Sequence, residues 1–189
     1  MKRLFAAIKI KPEENFHEIY HKLKKQLHHE QIKWVDLQNM HITLKFFGET
    51  PEEKIPEIVS VLEKIKLQTI AFSIQVNNVG IFGSSYKPRV IWFGIEQCDE
   101  LLRLGLNTLK EVEMIGFERD RQNFRPHLTI GRIKNIDNKK RFNEVIHAYK
   151  DAEIQSCEVD EMHLYESILL PLGPNYRVIK SFQFTKKPA

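Results

Sequence analysis

Two short segments of the chain carry the same order of a histidine, a threonine and two aliphatic residues. The first is His41-Ile42-Thr43-Leu44, and the second, His127-Leu128-Thr129-Ile130, follows it by 86 positions. In a β-strand, residues i and i+2 share one face. Each segment would therefore present an imidazole and a hydroxyl together and bury its aliphatic residues on the other face. Two such strands beside one cleft would offer two imidazoles and two hydroxyls to one ligand.

That set of groups suits the opening of a phosphodiester. One neutral imidazole can take a proton from water while a protonated one gives a proton to the leaving oxygen. Two hydroxyls can donate hydrogen bonds to the non-bridging oxygens of the phosphate. A single motif this short matches often by chance. Its repetition at a fixed spacing, in strands of the same context, favours a functional pair.

The elements that must position these groups recur in the same order in both halves of the chain. Hydrophobic periodicity predicts β-α-β-α-β in each half. The predicted strands are 4–10, 40–47, 72–76, 90–95, 127–133, 156–165 and 176–184, and the helices begin near 12 and 51 and span 99–112 and 137–149. We therefore predict an internal duplication, with halves of about 1–86 and 87–189 forming two pseudo-symmetric lobes of one domain, 1–189.

Composition narrows the class of protein. The 189 residues are 42% hydrophobic and 29% charged, which is typical of a globular chain of one domain. The net charge of +4 is compatible with an anionic substrate or RNA. Cys98 and Cys157 form no CxxC motif and indicate a reducing compartment. The longest uncharged run, 67–86, contains Gln, Asn, Ser and Thr, so we expect a soluble, cytoplasmic protein with no membrane span.

The motifs resemble those of the 2H phosphoesterase superfamily, and within it the RNA 2′,3′-cyclic phosphodiesterase family, also called 2′-5′ RNA ligase. The resemblance covers nearly the whole chain. It is carried by the segments RLFAAI at 3–8, HITLKFFGE at 41–49, PRVIW at 88–92, FRPHLTIGR at 124–132, LYES at 164–167 and GPNY at 173–176. All four histidine and threonine positions match.

The resemblance implies a fold, a reaction and residue roles. The fold would be α+β, with two lobes that are each a mostly antiparallel sheet covered by two helices, and an active-site cleft between them. The enzyme would be a hydrolase of RNA processing that opens a terminal 2′,3′-cyclic phosphate to a 2′-phosphate. His41 would donate the proton, His127 would accept one, and Thr43 and Thr129 would bind the phosphate. In the reverse direction, the enzyme would join a 5′-hydroxyl to the cyclic phosphate in a 2′-5′ linkage, without ATP.

The resemblance also implies what the protein binds. The substrate would be RNA with a 2′,3′-cyclic phosphate terminus. We expect no cofactor, no metal and no obligate protein partner, and a monomer.

Basic side chains near the motifs are candidates for binding the substrate. Strand parity predicts Lys45 on the His41 face and Arg125 on the His127 face. Arg132 has the opposite parity and would need a β-bulge to reach the cleft. The alternative for each is a solvated surface charge.

An aromatic residue among cations suggests a site for the end of a single strand. Phe124 lies in sequence between Arg125 and the pair Arg119 and Arg121. Phosphate contacts plus base stacking would suit RNA. The alternative is a charged loop anchored by one buried Phe.

A second motif points to different chemistry. The stretch 17–21 reads HEIYH and matches the HExxH pattern of zinc hydrolases on a predicted helix. His17 and His21 lie about 120° from the apolar stripe of that helix, however, and no third ligand stands out. A solvated helix face is therefore favoured over a zinc site. A third alternative is a protein that binds cyclic-phosphate RNA ends without turnover.

Overall fold

The computed structural model describes residues 1–118, 124–171 and 173–186. Within them the chain forms nine strands and four α-helices. In chain order they are β1 (Lys2–Lys9), α1 (Glu14–Gln26), β2 (Gln31–Trp34), β3 (His41–Thr50), α2 (Ile55–Leu67), β4 (Phe72–Gly83), β5 (Pro88–Ile95), α3 (Asp99–Glu113), β6 (His127–Asn135), α4 (Lys139–Ala148), β7 (Glu153–Val159), β8 (Glu161–Leu170) and β9 (Gly173–Gln183).

The strands form two antiparallel groups that meet at one point. The first lobe has the order β3-β1-β8-β9, and the second has β7-β4-β5-β6 with β2 added on β6. Between the lobes, β3 and β6 share the single pair Ile42 and Leu128. Because strands that share one pair splay apart on either side of it, the two sheets diverge and leave a cleft. The predicted α+β fold with two antiparallel lobes is confirmed.

Each lobe draws strands from both halves of the sequence. Within a half, the first strand pairs with the motif strand, β1 with β3 and β5 with β6. The next strand crosses over, so that β4 pairs with β5 and β8 pairs with β1. The lobes are therefore built by exchange between the halves, which are not themselves the lobes.

Helices cover one face of each lobe. In the first lobe α2 contacts β9 and α3 contacts β3, while in the second α1 contacts β7 and α4 contacts β4. The apolar stripe of α1 shows how they pack, since Phe16 and Leu23 are fully buried and the Phe16 ring meets Phe93 of β5 edge-on at 4.9 Å. None of the helices in the described ranges is long and apolar enough to cross a membrane. The uncovered faces of the two lobes line the cleft.

Three parts of the predicted element map differ from the structure. β2 was not predicted, because its four residues are too few for a pattern to stand out. β4 continues to Gly83, beyond its predicted end at residue 76, because Gly80 makes room for the Trp92 ring of β5. The predicted strand 156–165 is two strands, β7 and β8, separated at Asp160.

Candidate active site

The two repeated motifs meet where the lobes join. Since Ile42 lies opposite Leu128, the antiparallel register places His41 across from Thr129 and Thr43 across from His127. Ile42 and Leu128 are fully buried in the core, and the four polar side chains lie half-buried on the other face. The structure thus brings together the two histidines and two threonines singled out in the sequence, around a pseudo-two-fold axis.

The ring of His41 is held by a backbone bond and by aromatic neighbours. Its Nδ1 lies 2.7 Å from the Asn39 carbonyl oxygen. A carbonyl only accepts, so Nδ1 carries a proton and Nε2 is the atom left for chemistry. Asn39 is itself held, because its Nδ2 donates to the Pro174 carbonyl at 3.2 Å. The ring centroids of Phe5 and Tyr176 lie 5.1 Å and 5.3 Å from that of His41.

His127 repeats this arrangement in the other lobe. Its Nδ1 lies 2.7 Å from the carbonyl oxygen of Arg125, again two residues earlier in the chain. The Phe82 ring meets it edge-on at 4.7 Å. Both imidazoles therefore have the same proton on Nδ1 and the same fixed orientation. The geometry alone does not distinguish acid from base.

The pKa of each histidine is lowered. For both rings burial is the main cause, because it disfavours the charged imidazolium, while the hydrogen bond to the backbone carbonyl works in the opposite direction. The positive charge of Arg132 lowers both pKa values further. The site therefore favours a neutral base and makes the protonated partner a strong acid.

These lowered pKa values set an expected pH dependence. At low pH the base becomes protonated, and at high pH the acid loses its proton, so kcat/KM should be bell-shaped. Because both histidines titrate below the ordinary value of 6.5, the maximum should lie below pH 6.5. Arg132→Leu removes a nearby cation, so it should raise both pKa values and move the maximum to higher pH. Arg141→Leu, on the exposed side of α4, should leave it in place. A flat profile from pH 5 to 9 would contradict paired-histidine catalysis.

A β-bulge moves Lys45 away from the position predicted for it. Thr43 pairs with Ala7, but Lys45 pairs with Ala6, so one residue of β3 is unmatched and the side-chain alternation reverses. Lys45 is 4% exposed on the core face, and its Nζ donates to the Glu118 carbonyl at 2.7 Å. The prediction that Lys45 shares the His41 face is therefore wrong, because simple parity does not survive the bulge.

The matching bulge in β6 turns Arg132 toward the cleft. Thr129 pairs with Trp92 and Gly131 with Ile91, which leaves Ile130 as the unmatched residue. Arg132 then pairs with Val90, and Thr129 pairs with Trp92. Because Val90 and Trp92 are two residues apart on β5, they share a face, and so Arg132 shares the face of Thr129. The β-bulge that Arg132 needs in order to reach the cleft is therefore present. The effect of its charge on both histidines agrees with this position.

The loop before β6 supports a structural role for Phe124. This half-buried ring packs on α3 so closely that a Cβ at Gly105 would lie 2.2 Å from it. This packing favours the anchored-loop alternative, and the stacking role of Phe124 stays a prediction. Arg125 is exposed and contributes its carbonyl to His127, so a role for its side chain stays a prediction. Arg119 and Arg121 lie outside the described residues.

Sequence reasoning missed the aromatic floor of the site. Phe5, Ala7 and Tyr165 form a small buried cluster apart from the main core, with Tyr176 packed against it. The Phe5 and Tyr165 rings stack at 5.0 Å. The available signal was the apolar run at 4–8, which is hydrophobic at every position and so must be buried on both faces.

The HExxH motif lies on solvent. His17 and His21 are exposed on α1 with ring centroids 6.3 Å apart, and Glu18 pairs with Lys22. Across residues 1–118, 124–171 and 173–186, no group of three His, Cys, Asp or Glu side chains is arranged to hold a metal ion. The third ligand that the pattern needs is therefore not supplied by that part of the chain.

Comparison with known proteins gives the family. The model of LigT-like phosphoesterases matches residues 8–92 and again 95–176, as the internal duplication predicts. An RNA 2′,3′-cyclic phosphodiesterase of Methanocaldococcus jannaschii is 39% identical, with 95% of this chain and 99% of that protein covered. One from Thermotoga maritima is 36% identical, with 96% and 95% covered.

Solved structures agree with this relationship. TT0787 of Thermus thermophilus superposes with a TM-score of 0.80 at 26% identity and covers 98% of this chain and 100% of its own. Escherichia coli LigT complexed with 3′-AMP gives 0.80 at 25% identity, with 97% and 98% covered. The duplicated motifs, the two exchanged lobes and these matches lead to one conclusion. The chain belongs to the LigT-like phosphoesterase family.

Proposed function

We propose that this protein hydrolyses the terminal 2′,3′-cyclic phosphate of RNA and leaves a 2′-phosphate. The observation that carries the proposal is the symmetric placement of His41, Thr43, His127 and Thr129 on one face at the junction of the lobes. The relatives that match over nearly the whole chain bear the name of this activity.

The reaction needs only proton transfers and charge stabilisation. Nε2 of His127 takes a proton from water, and the resulting hydroxide attacks phosphorus. The bond from phosphorus to the 3′ oxygen breaks, and Nε2 of His41 gives its proton to that oxygen. The product carries a 2′-phosphate and a free 3′-hydroxyl, and solvent exchange restores both rings. The choice of His41 as acid follows the family, since the geometry is symmetric.

Hydroxyls and a guanidinium would stabilise the charge that develops on phosphorus. Thr43 and Thr129 stand across from the histidines and can donate to the two non-bridging oxygens. Arg132, brought to the same face by the bulge in β6, can neutralise the dianionic product or bind the next phosphate. No step in this scheme requires a metal, and the same groups in exchanged roles would join a 5′-hydroxyl to the cyclic phosphate without ATP.

The first test is the product and its dependence on metal. With adenosine 2′,3′-cyclic phosphate and a short RNA ending in that group, we expect a 2′-phosphate and the same rate with and without EDTA. Chromatography separates the 2′- and 3′-phosphate products. A rate that falls with EDTA and returns with Zn²⁺ would favour the metal alternative at His17 and His21.

Turnover also separates the enzyme from a protein that only binds RNA ends. Tight binding of cyclic-phosphate RNA without product would overturn the proposed reaction and leave the fold unchanged. Ligation is read in the same assay by adding an RNA with a 5′-hydroxyl and following a 2′-5′ linked product.

The arrangement supports a single-chain enzyme. Both histidines come from one chain, and each lobe needs strands from both halves, so we propose one bilobal domain over 1–189 that works as a monomer. Cys98 and Cys157 are free thiols, which suits a cytoplasmic location. Sedimentation of the active protein tests whether it is a monomer.

A further inference from the structure

The short strand β2 places a lysine beside the cleft. Beyond the single pair that joins the lobes, β3 splays away from β6, and β2 pairs with that edge of β6 instead. The register sets Lys33 directly opposite Arg132. Side chains of directly opposed residues in an antiparallel pair lie on the same face of the sheet. Since Arg132 shares the face of Thr129, Lys33 also faces the cleft.

Packing on the other side of β2 supports this orientation. Ile32 and Trp34 flank the lysine in the strand. Both lie against Gly131, where an added Cβ would meet Cγ2 of Ile32 at 2.9 Å and Cε3 of Trp34 at 3.4 Å. The Trp34 ring also meets the Tyr20 ring of α1 edge-on at 5.7 Å. These neighbours point into the helix-covered core, so alternation turns Lys33 to the opposite side, where it is exposed.

The two cations repel each other in the free protein. Directly opposed residues of an antiparallel pair have Cα atoms about 5 Å apart, and like charges at such positions destabilise the pair. Neither Lys33 nor Arg132 forms an ion pair with a carboxylate of residues 1–118, 124–171 or 173–186. An anion bound beside both groups would offset the repulsion, so the arrangement favours an anionic ligand at this place in the cleft.

We infer that Lys33 binds the phosphate that links the terminal nucleotide of the RNA to the nucleotide before it. The inference rests on the proposed function and adds a residue that distinguishes an RNA chain from a mononucleotide. The reacting phosphate lies between the histidines, close to the charge of Arg132. Lys33 lies level with Arg132 on the next strand, so it can contact the phosphate one ribose farther along the chain.

The chemistry of an ammonium group suits this role. It presents three donors on a flexible stem and binds a phosphate as a point charge, without a fixed geometry. Contacts to phosphate position a nucleic acid and carry no information about its sequence. We therefore expect Lys33 to favour RNA ends over mononucleotides, whatever the bases.

The test removes the charge on each side of the contact in turn. One substrate is the dinucleotide ApA with a 2′,3′-cyclic phosphate end, and a second has a neutral methylphosphonate as its internal linkage. Lys33→Gln should lower kcat/KM for the first by about 3- to 10-fold at low salt, as for loss of one phosphate contact. The loss should be much smaller for the methylphosphonate and for adenosine 2′,3′-cyclic phosphate, which lack the charged linkage. Lys33→Arg should restore most of the loss.

Salt dependence gives a second readout that a purely structural role would not change. Each phosphate contact on a single strand contributes about 0.7 to the slope of log affinity against log salt. With the charged dinucleotide, Lys33→Gln should make the slope of log kcat/KM shallower by about that amount. Lys25→Gln is the matched control, because it removes the same charge from an exposed position on α1, which covers the opposite face of the lobe. It should change neither the rate nor the slope.

Two results would overturn the inference. Equal losses on the charged and neutral linkages, with a lower Tm, would show that Lys33 supports the fold. No loss on either would show that it only protects β2 as an edge strand. Wild-type turnover of adenosine 2′,3′-cyclic phosphate shows that the proposed reaction stands whatever the result for Lys33. If the wild type turns over neither substrate, the reaction is overturned, and calorimetry with ApA 2′-phosphate and its methylphosphonate form decides the inference separately.

Discussion

Replacing His127 by alanine is expected to lower kcat by about 10²- to 10⁴-fold, the range that general acid–base catalysis contributes. The ring contributes little to the core, because it lies half-buried at the start of β6 and its only described hydrogen bond within the chain is to a backbone carbonyl. The variant should therefore fold and bind substrate. Single-turnover assays with adenosine 2′,3′-cyclic phosphate measure the loss directly.

The matching variant shows whether the two rings act as a unit. His41→Ala should lose a similar factor, and the double variant should lose far less than the product of the two factors, because neither ring can complete the proton transfer alone. His21→Ala, on the exposed face of α1, is the matched control and should keep full activity. More than a tenth of wild-type activity in either site variant would rule out its proposed role.

Local patterns made the core of the site predictable. Strand geometry alone puts residues i and i+2 on the same face. No tertiary information was therefore needed to predict that His41 shares a face with Thr43, and His127 with Thr129. The repetition of the same motif in both halves of the chain then predicted that the two strands lie side by side in a symmetric arrangement. The orientation of each ring depends on a carbonyl two residues earlier, which periodicity does not reveal.

Features that depend on pairing between distant strands were not predictable. A single unmatched residue in β3 reverses the parity of the residues that directly follow it, and this placed Lys45 in the core and Phe46 on the cleft. A leucine at position 44 gives no sign in the sequence that this residue is the unmatched one. The exchange of β4 and β8 between the halves is likewise a property of the assembled sheet.

The threonine hydroxyls should account for a further large part of the rate. Thr43→Val and Thr129→Val remove a hydroxyl at nearly constant volume, and each should lower kcat by about 10²- to 10³-fold, as loss of one donor to a developing oxyanion does. Thr→Ser at either position keeps the hydroxyl and should keep most of the activity.

A half-buried threonine outside the cleft provides the control. Thr69, after α2, donates its hydroxyl to the Ile65 carbonyl at 2.8 Å, and Thr69→Val should leave kcat unchanged. Binding of inorganic phosphate, followed by calorimetry, should weaken in the Thr43 and Thr129 variants and not in this one. Because Thr43 lies across from His127 and Thr129 across from His41, the two losses should be similar. Loss at only one threonine would show that the phosphate sits off the pseudo-two-fold axis, nearer to one histidine, and would undo the symmetric binding proposed for it.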